Sequence, residues 1–326
     1  MNRVKQLIYQ TLERILHSRG LEIQSQGITR KQIERYLSDQ CREFMMISTI
    51  PKSGTHRCAL FFFVLDHLLR GNSTPDISEY KAGYIEQLSS IGVSLKIGHS
   101  SNPFKTLDYR REDPTSWFEV PLYVKGWDSA REVFDAMVES GANKIIHIYR
   151  NPLDQSISWF HMKKAQLPEG ADYFTDDCGR KIPLDERAFL RHLTLPLWVK
   201  THGSFAFHSE QDGKHALLIP YERLMQQPDT EFGRILEFFG VQLGENGADL
   251  IQRAVELTSR DKVRALEDSQ KDSLLNIGGL NQEVKTEWRH ARDGSSGQWE
   301  SVFGEEDVEF ARRYLEDHGL NLNDYL

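Results

Sequence analysis

The sequence predicts a single α/β domain in which helices flank a central parallel β-sheet. Short apolar, β-prone segments alternate with helical segments along the chain, an order typical of a parallel sheet covered on both faces. Ligands of such sheets bind at the carboxyl ends of the strands, where polar residues follow the apolar runs. The predicted strands cover residues 44–50, 93–99, 120–125, 144–149 and 216–221.

The first strand leads into a loop of small residues and then into an apolar helix. Pro51 and Gly54 interrupt the strand pattern, and the helix continues to Leu69 with Gly71 as its stop. Free N–H groups at a helix start, together with the helix dipole, favour a bound anion. Lys52 adds a positive charge. The loop alone does not distinguish an anion site from an ordinary βα turn with a solvated lysine.

Helices are predicted before, between and after the strands. Apolar residues at helical spacing and the capping residue Thr29 predict a helical extension over residues 1–40, with the main domain over 41–326. Residues 100–119 and 172–185 are polar and turn-rich, so we expect surface loops there, the second of them mobile. Further helices are predicted over residues 129–139, 155–164, 187–198, 230–239, 248–257 and 305–318.

The composition excludes several classes of protein. A hydrophobic fraction of 39% and a charged fraction of 27% suit a soluble globular chain. The net charge of −8 argues against general affinity for nucleic acid. Three cysteines without paired or metal-binding spacing fit a reducing compartment. No signal peptide or apolar run long enough to span a membrane is found, so we expect a cytoplasmic protein without stable membrane insertion and without a metal.

Two motifs together resemble those of the PAPS-dependent sulfotransferase family. The first resembles the loop that binds the 5′-phosphosulfate of PAPS (3′-phosphoadenosine 5′-phosphosulfate), and it reads Pro51-Lys52-Ser53-Gly54-Thr55, followed by His56 and Arg57. The second, residues 149–158, is similar to the segment that binds the 3′-phosphate. In it Arg150 and Ser158 stand eight residues apart, as the family's arginine and serine do, and they offer the phosphate a charged fork and a hydroxyl donor.

Further matches follow in the family's order, over about residues 44–315. Tyr221-Glu222-Arg223-Leu224 resembles Tyr-Glu-Asp-Leu, whose tyrosine meets the adenine, and Thr258-Ser259 is similar to a pair on the nucleotide side. A third stretch, similar to another 3′-phosphate element, reads Arg292-Asp293-Gly294-Ser295-Ser296-Gly297-Gln298-Trp299. The resemblance implies a P-loop-like nucleotide-binding core and PAPS as co-substrate.

Several positions depart from the family pattern. Arg57 replaces an adenine-stacking tryptophan, although a guanidinium also stacks on a base. Arg260 stands where an aromatic residue often follows the Thr-Ser pair, and Asp293 replaces a lysine. The family's C-terminal dimer motif is not recognisable, because Gly304-Glu305 stands in place of Thr-Val. A homo-oligomer formed by another surface stays open.

The resemblance implies a histidine base at a strand end, and three stretches compete for this role. Lys200-Thr201-His202 has the family's letters but lies after the 3′-phosphate motif, so we interpret it as a decoy. Val124-Lys125-Gly126-Trp127 has the right distance from Arg150 but has Trp127 where the histidine should be. Lys96-Ile97-Gly98-His99 has a histidine at a strand end but leaves a long insertion before Arg150. We therefore expect His99 as the base, with Lys52 and Lys125 as catalytic charges. Asp128 and His56 are the alternatives for the base.

These observations predict an enzyme that moves a sulfuryl group from PAPS to a hydroxyl or amine of a small-molecule acceptor. The resemblance implies that segments 71–119 and 172–185 line the acceptor site, and their acidic residues favour a polar, cationic acceptor over a flat steroid. Two alternatives stay open. One is a P-loop-like nucleotide kinase or hydrolase, disfavoured because the pattern Gly-x-x-x-x-Gly-Lys-Ser/Thr is absent. The other is a non-catalytic PAP-binding protein.

Overall fold

A computed structural model of the protein describes residues 44–77, 95–99, 142–167, 170–175, 181–211, 215–269 and 296–326. The predicted helical extension over residues 1–40 lies outside these ranges, as do the predicted strand 120–125 and helix 129–139. The division of the chain into residues 1–40 and 41–326 therefore stays a prediction.

A parallel sheet forms the centre of the fold. The strands in the described ranges are β1 (Phe44–Thr49), β2 (Leu95–His99), β3 (Ala142–Tyr149), β4 (Tyr173–Thr175), β5 (Lys181–Pro183) and β6 (Ala216–Pro220). Four of them form the central sheet in the order β2-β1-β3-β6, with every neighbouring pair parallel. The carboxyl ends therefore meet at one edge of the sheet. The predicted α/β class with a central parallel sheet is confirmed.

Helices connect and cover these strands. They are α1 (Thr55–Leu69), α2 (Pro152–Gln166), α3 (Glu186–Phe189), α4 (Leu195–Gln211), α5 (Tyr221–Gln226), α6 (Pro228–Phe239), α7 (Gly247–Leu257), α8 (Arg260–Ser269) and α9 (Glu305–Glu316). A π-helical turn over Leu190–Thr194 joins α3 to α4. Two 3-10 turns cover Gln298–Ser301 and Leu322–Asp324.

The alternation of side chains along β3 shows that both faces of the sheet are covered. Ile146 and Ile148 are buried in the cluster that contains α1 and α6. Because successive side chains of a strand point to opposite faces, His147 lies on the other side, where its ring stacks on Phe205 of α4 at 4.0 Å. Two separate layers of helices therefore enclose the sheet.

Helix α1 follows the loop after β1 and is buried along most of its length. Nearly every residue of its middle turns is buried, which explains an apolar sequence without a polar stripe. Phe61 stacks on Phe232 of α6 with ring centres 3.6 Å apart. The helix ends at Leu69, and Gly71 follows with φ of +83°, as expected for a glycine stop. This packing fixes the helix start against the sheet edge.

The segment over residues 172–185 differs from the expected turn-rich loop. Strands β4 and β5 pair in antiparallel fashion, with Phe174 opposite Ile182. Both side chains are buried, and Phe174 contacts Phe160 of α2 and Phe189 of α3. These two apolar side chains pack the segment against the helices, so its described residues form two short strands where the sequence predicted a turn-rich stretch, and its mobility stays a prediction.

No helix within the described ranges has both the length and the apolar character needed to cross a membrane. Within the same ranges, no group of three or more His, Cys, Asp or Glu side chains is arranged to hold a metal ion.

Candidate functional site

The loop between β1 and α1 is held in one conformation by short-range bonds. The N–H of Ser53 donates to the carbonyl of Ile50 at 3.0 Å. The hydroxyls of Thr49 and Thr55 lie 2.6 Å apart, so they join the end of the strand to the start of the helix. Lys52 adopts φ of +70°, which is uncommon for a residue with a side chain and is found often at functional sites. The loop is therefore a defined structure.

The start of α1 has the properties of an anion site. No side chain caps it and its first turn carries no acidic residue, so the first backbone N–H groups are not satisfied within the helix. Ser53 is fully buried, and its hydroxyl has no hydrogen-bond partner among the described residues. A bound oxyanion would satisfy both kinds of donor. The residues of the loop therefore fit a phosphate or sulfate group.

Gly54 places the loop directly against Tyr221. Its φ of +91° is in the left-handed region, and a Cβ built there would lie 3.0 Å from Cδ2 of Tyr221. Glycine is required at this position both by the backbone conformation and by the neighbouring ring. Tyr221, predicted as the last residue of a strand, is in fact the first residue of α5. Its ring therefore borders the loop at the sheet edge.

Arg150 follows β3 and faces the same ring from another side. Its guanidinium carbon lies 4.9 Å from the centre of the Tyr221 ring. The carbonyl of Arg150 accepts a hydrogen bond from Nε1 of Trp198 at 2.8 Å. Oε1 of Glu222 accepts from the N–H of Asn151 at 3.0 Å and lies 4.0 Å from Nε of Arg150. These contacts fix a buried cation at the carboxyl edge of the sheet.

Arg57 joins the first turn of α1 to the end of α7. Its guanidinium donates to the carbonyl of Thr258 and, at 3.4 Å, approaches the Thr258 hydroxyl. Burial lowers the pKa of the Arg57 guanidinium, while Cys58, Tyr221 and Asp229 act in the opposite direction. The structure thus brings together Arg57 and the predicted Thr-Ser pair. It also shows that one nitrogen of the Arg57 guanidinium already donates a hydrogen bond to the protein backbone.

Tyr221 is the centre of this arrangement. Burial raises the pKa of its hydroxyl, and the positive charges of Arg150, Arg57 and Arg260 oppose that shift. Three guanidinium groups therefore act on one hydroxyl, although the whole chain carries a net charge of −8. This local positive field suits an anionic ligand.

The second predicted motif is also placed at this edge. Asn151 accepts from the N–H groups of Leu153 and Asp154, so it caps α2 directly after Arg150. Ser158 lies about two turns after Asn151 on α2 and is half-buried. The neighbouring Ser156 is buried and accepts a hydrogen bond from Thr194.

The remaining predicted site residues divide into three groups. Ser259 and His56 are half-buried beside Thr258 and Thr55, respectively. The backbone of His99 pairs with Thr49 at the sheet edge, three residues before the loop's lysine. The side chain of His99 lies outside the described residues, together with all of Lys125, Asp128, Arg292, Asp293 and Gly294.

The stretch Lys200-Thr201-His202, interpreted as a decoy, lies within α4. His202 is buried between Tyr149 and Trp198, with ring centres 4.3 and 4.5 Å away, and its Nε2 lies 3.1 Å from the hydroxyl of Tyr325. Burial lowers the pKa of the His202 imidazole to about 3. This histidine therefore packs the core behind Arg150 and does not face the loop.

Some site residues carried no assigned role in the sequence. Asp154 and Glu222 belong to the predicted motifs but had no predicted role, yet each accepts backbone N–H groups that hold the site together. Their negative charge is the signal that could have identified them, because a carboxylate beside an anion site is unfavourable unless other groups of the protein bind it.

A comparison of the sequence with protein-family models matches the sulfotransferase domain over residues 42–320. The chain belongs to the sulfotransferase family. Its curated relatives include two proteins of Arabidopsis thaliana. Cytosolic sulfotransferase 12 is 28% identical over 55% of this chain and 51% of its own length, and cytosolic sulfotransferase 9 is 27% identical over 51% and 47%. The chain thus spans about half the length of the curated relatives that it matches.

Two solved structures share the fold of this sulfotransferase-family chain. A mouse sulfotransferase complexed with PAP has a TM-score of 0.55 at 18% identity, covering 91% of this chain and 94% of its own. A retinol dehydratase in complex with androsterone and the inactive cofactor PAP has a TM-score of 0.51 at 14% identity, covering 98% and 94%. At these identities the likeness shows the fold.

Proposed function

We propose that this chain transfers the sulfuryl group of PAPS to a hydroxyl or amine of a small-molecule acceptor and releases PAP. One observation carries the proposal: the loop at Gly54 and the cation Arg150 converge on the ring of Tyr221. Two anion-binding elements that meet at one aromatic ring suit a nucleotide with phosphates at both its 5′ and 3′ positions. ATP has no 3′-phosphate to occupy the second element.

The residues of the chain divide between the parts of that nucleotide. Lys52, Ser53, Gly54 and Thr55 would hold the 5′-phosphosulfate through backbone N–H groups and the Ser53 hydroxyl. Arg150 and Ser158 would hold the 3′-phosphate, joined by the segment Arg292-Asp293-Gly294. The adenine would lie near Tyr221 and the pair Thr258-Ser259, with His56 and Arg57 at the start of α1. The buried Ser53 hydroxyl and the uncapped helix support this fit.

PAPS supplies an activated sulfuryl group, whose bond to the 5′-phosphate oxygen breaks as the acceptor oxygen or nitrogen forms its bond to sulfur. Lys52 would stabilise the negative charge that develops on the leaving oxygen. His99 would accept the proton of the acceptor, with Lys125 as a supporting charge. The pairing of the His99 backbone with Thr49 supports this role, since it puts the residue beside the loop.

The acceptor that we propose is a polar, cationic small molecule. Asp76 and Asp172, which belong to the two acidic segments expected to line the acceptor site, are exposed. We also propose that the protein acts in the cytoplasm without nucleic acid, since its curated relatives are named cytosolic sulfotransferases.

The proposal is tested by incubating the protein with sulfur-labelled PAPS and a panel of phenols, sterols, sugars and amines. We expect label in an amine or another polar acceptor, and we expect Lys52→Ala to abolish its transfer. Thermal unfolding with PAP, compared with ADP plus Mg²⁺, separates the other candidates. A larger rise in melting temperature with ADP and Mg²⁺ would indicate a kinase or hydrolase. A rise with PAP but no transfer to any acceptor would indicate a non-catalytic binder.

The base is tested separately. His99→Ala should lower turnover at least about a hundredfold, a typical contribution of a general base, while PAP affinity stays unchanged. Turnover near the wild-type value would show that His99 is not the base, and the same substitution of His56 or Asp128 would follow.

A further inference from the structure

Asp154 joins two parts of the chain that are far apart in sequence. It lies in the first turn of α2, and its carboxylate is buried at 1% exposure. Oδ2 accepts the N–H of Gly297 at 2.7 Å, and Oδ1 accepts the N–H of Trp299 at 3.0 Å. Both oxygens of one carboxylate are therefore bound to the same C-terminal segment.

These bonds are not part of ordinary helix capping. Asn151 already caps α2 by accepting from Leu153 and Asp154. The carboxylate of Asp154 is thus available for another segment, and it satisfies two backbone donors there. A charged acceptor makes stronger hydrogen bonds than a neutral one, which suits a contact that has to fix a loop.

The C-terminal segment is shaped for this contact. Gly297 adopts φ of +83°, a conformation that L side chains rarely adopt, and it precedes the 3-10 turn Gln298–Ser301. Trp299 packs against a buried cluster that includes Leu153 and Ile157 of α2. The polar contact and the apolar contact therefore hold the segment to the same face of one helix.

We infer that Asp154 is a positioning residue that builds the 3′-phosphate half of the nucleotide site, an inference that rests on the proposed function. Helix α2 starts directly after Arg150 and carries Ser158. Gly297 and Trp299, which Asp154 holds, are the described end of the stretch Arg292–Trp299, which resembles the family's second 3′-phosphate element. Asp154 fixes Gly297 and Trp299 relative to α2 without touching the phosphate.

Asp154→Asn tests this role, because an amide keeps the shape but loses one acceptor oxygen and the charge. PAP and adenosine 5′-monophosphate differ only in the 3′-phosphate, so their affinities are measured side by side by calorimetry. We expect D154N to lower PAP affinity about tenfold and to leave the affinity for the monophosphate within about twofold. Asp185→Asn is the matched control: it weakens a carboxylate bond to the N–H of Ala188 at the start of α3 and should change neither affinity.

The outcomes separate the inference from the proposal on which it rests. Unchanged PAP affinity in D154N, or an equal loss for both ligands, would overturn the positioning role alone. A wild-type protein that does not prefer PAP to the monophosphate would overturn the proposed nucleotide site and this inference with it. If D154N does not fold, Gly297→Ala replaces it, since it strains the backbone that presents the N–H group and should cause the same selective loss.

Discussion

The guanidinium of Arg150 lies over the ring of Tyr221, with 4.9 Å between its carbon and the ring centre. Arg150 follows the end of β3, and Tyr221 begins the helix after β6. Because β3 and β6 are neighbours in the sheet, the two side chains lie close together. Oε1 of Glu222, next to Tyr221, accepts a hydrogen bond from the backbone N–H of Asn151, the residue after Arg150. The pair is thus fixed by the sheet itself, and Tyr221 contacts both anion-binding elements.

Arg150→Ala removes the cation of this pair. We expect PAP affinity to fall by about ten- to a hundredfold, because a hydrogen bond to a charged group contributes about 1.5–3 kcal/mol. The control is Arg191→Ala, since Arg191 pairs with Asp307 away from the site. That variant should lower the free energy of unfolding and leave PAP affinity unchanged. Similar PAP affinities for both variants, measured by calorimetry, would contradict the role of Arg150.

Gly54→Ala puts a methyl group against the Tyr221 ring and strains a left-handed backbone. Gly71→Ala is the matched control, because Gly71 also has positive φ but nothing lies within 4 Å of its Cβ position. Both variants should lose about 1–2 kcal/mol of unfolding free energy through backbone strain. Only G54A should also lose nucleotide affinity, because only there must the loop and the ring move apart. Equal PAP affinity of G54A and G71A would show that the contact with Tyr221 is unimportant.

Stability should decrease in acid because of His147 and His202. Burial lowers the pKa of His147 well below its ordinary value and that of His202 to about 3. Below about pH 6.5 the unfolded chain takes up protons that the folded protein does not. The free energy of unfolding should therefore fall as pH decreases from about 6.5 towards 3, by up to about 1.4 kcal/mol per pH unit for each histidine.

The test of this acid sensitivity is His147→Phe, which keeps an aromatic ring stacked on Phe205. Its denaturant unfolding, measured between pH 4 and pH 8, should show a slope against pH that is smaller by up to about 1.4 kcal/mol per unit below about pH 6.5 and unchanged above it. An equal slope for H147F and the wild type would mean that His147 is not the source.

Asp307 is a buried carboxylate on α9 that pairs with Arg187 at 3.0 Å and Arg191 at 2.8 Å. Asp307→Asn should cost about 1–3 kcal/mol of unfolding free energy, because it removes the charge from a buried acceptor, while the arginines left behind are 60% and 34% exposed and stay hydrated. Glu309 on the same helix also faces two arginines but is exposed, so Glu309→Gln should change stability by no more than about 0.5 kcal/mol. Chemical denaturation of both variants measures the difference, and comparable losses would rule out a special role for burial.

The sequence predicts the parts of this fold that have strong local signals. The apolar strands and the apolar helix α1 were found because burial on all sides leaves an uninterrupted hydrophobic run. The strands β4 and β5 were missed because each has three residues and only one buried apolar side chain, Phe174 or Ile182. The C-terminal part of α4 was not predicted, because His202 is a polar residue in the sequence and its burial depends on the aromatic side chains that pack against it.

The candidate site was predictable as motifs but not as contacts. The loop and Arg150 were expected at one sheet edge, because parallel strands bring their carboxyl ends together. The bond from Asp154 to Gly297 joins residues 143 positions apart, and a separation of that size leaves no pattern in a single sequence. The engagement of Arg57 by Thr258, across 201 positions, was invisible for the same reason.

The hydroxyl contact between Thr49 and Thr55 has a consequence for binding thermodynamics. Because the bond closes the loop at its two ends, the backbone has little conformational entropy left to lose when an anion arrives. The loop is preorganised, so the free energy of its N–H contacts with the anion is available for affinity and is not consumed in ordering the chain. Breaking this bond would weaken anion binding without removing any group that touches the anion.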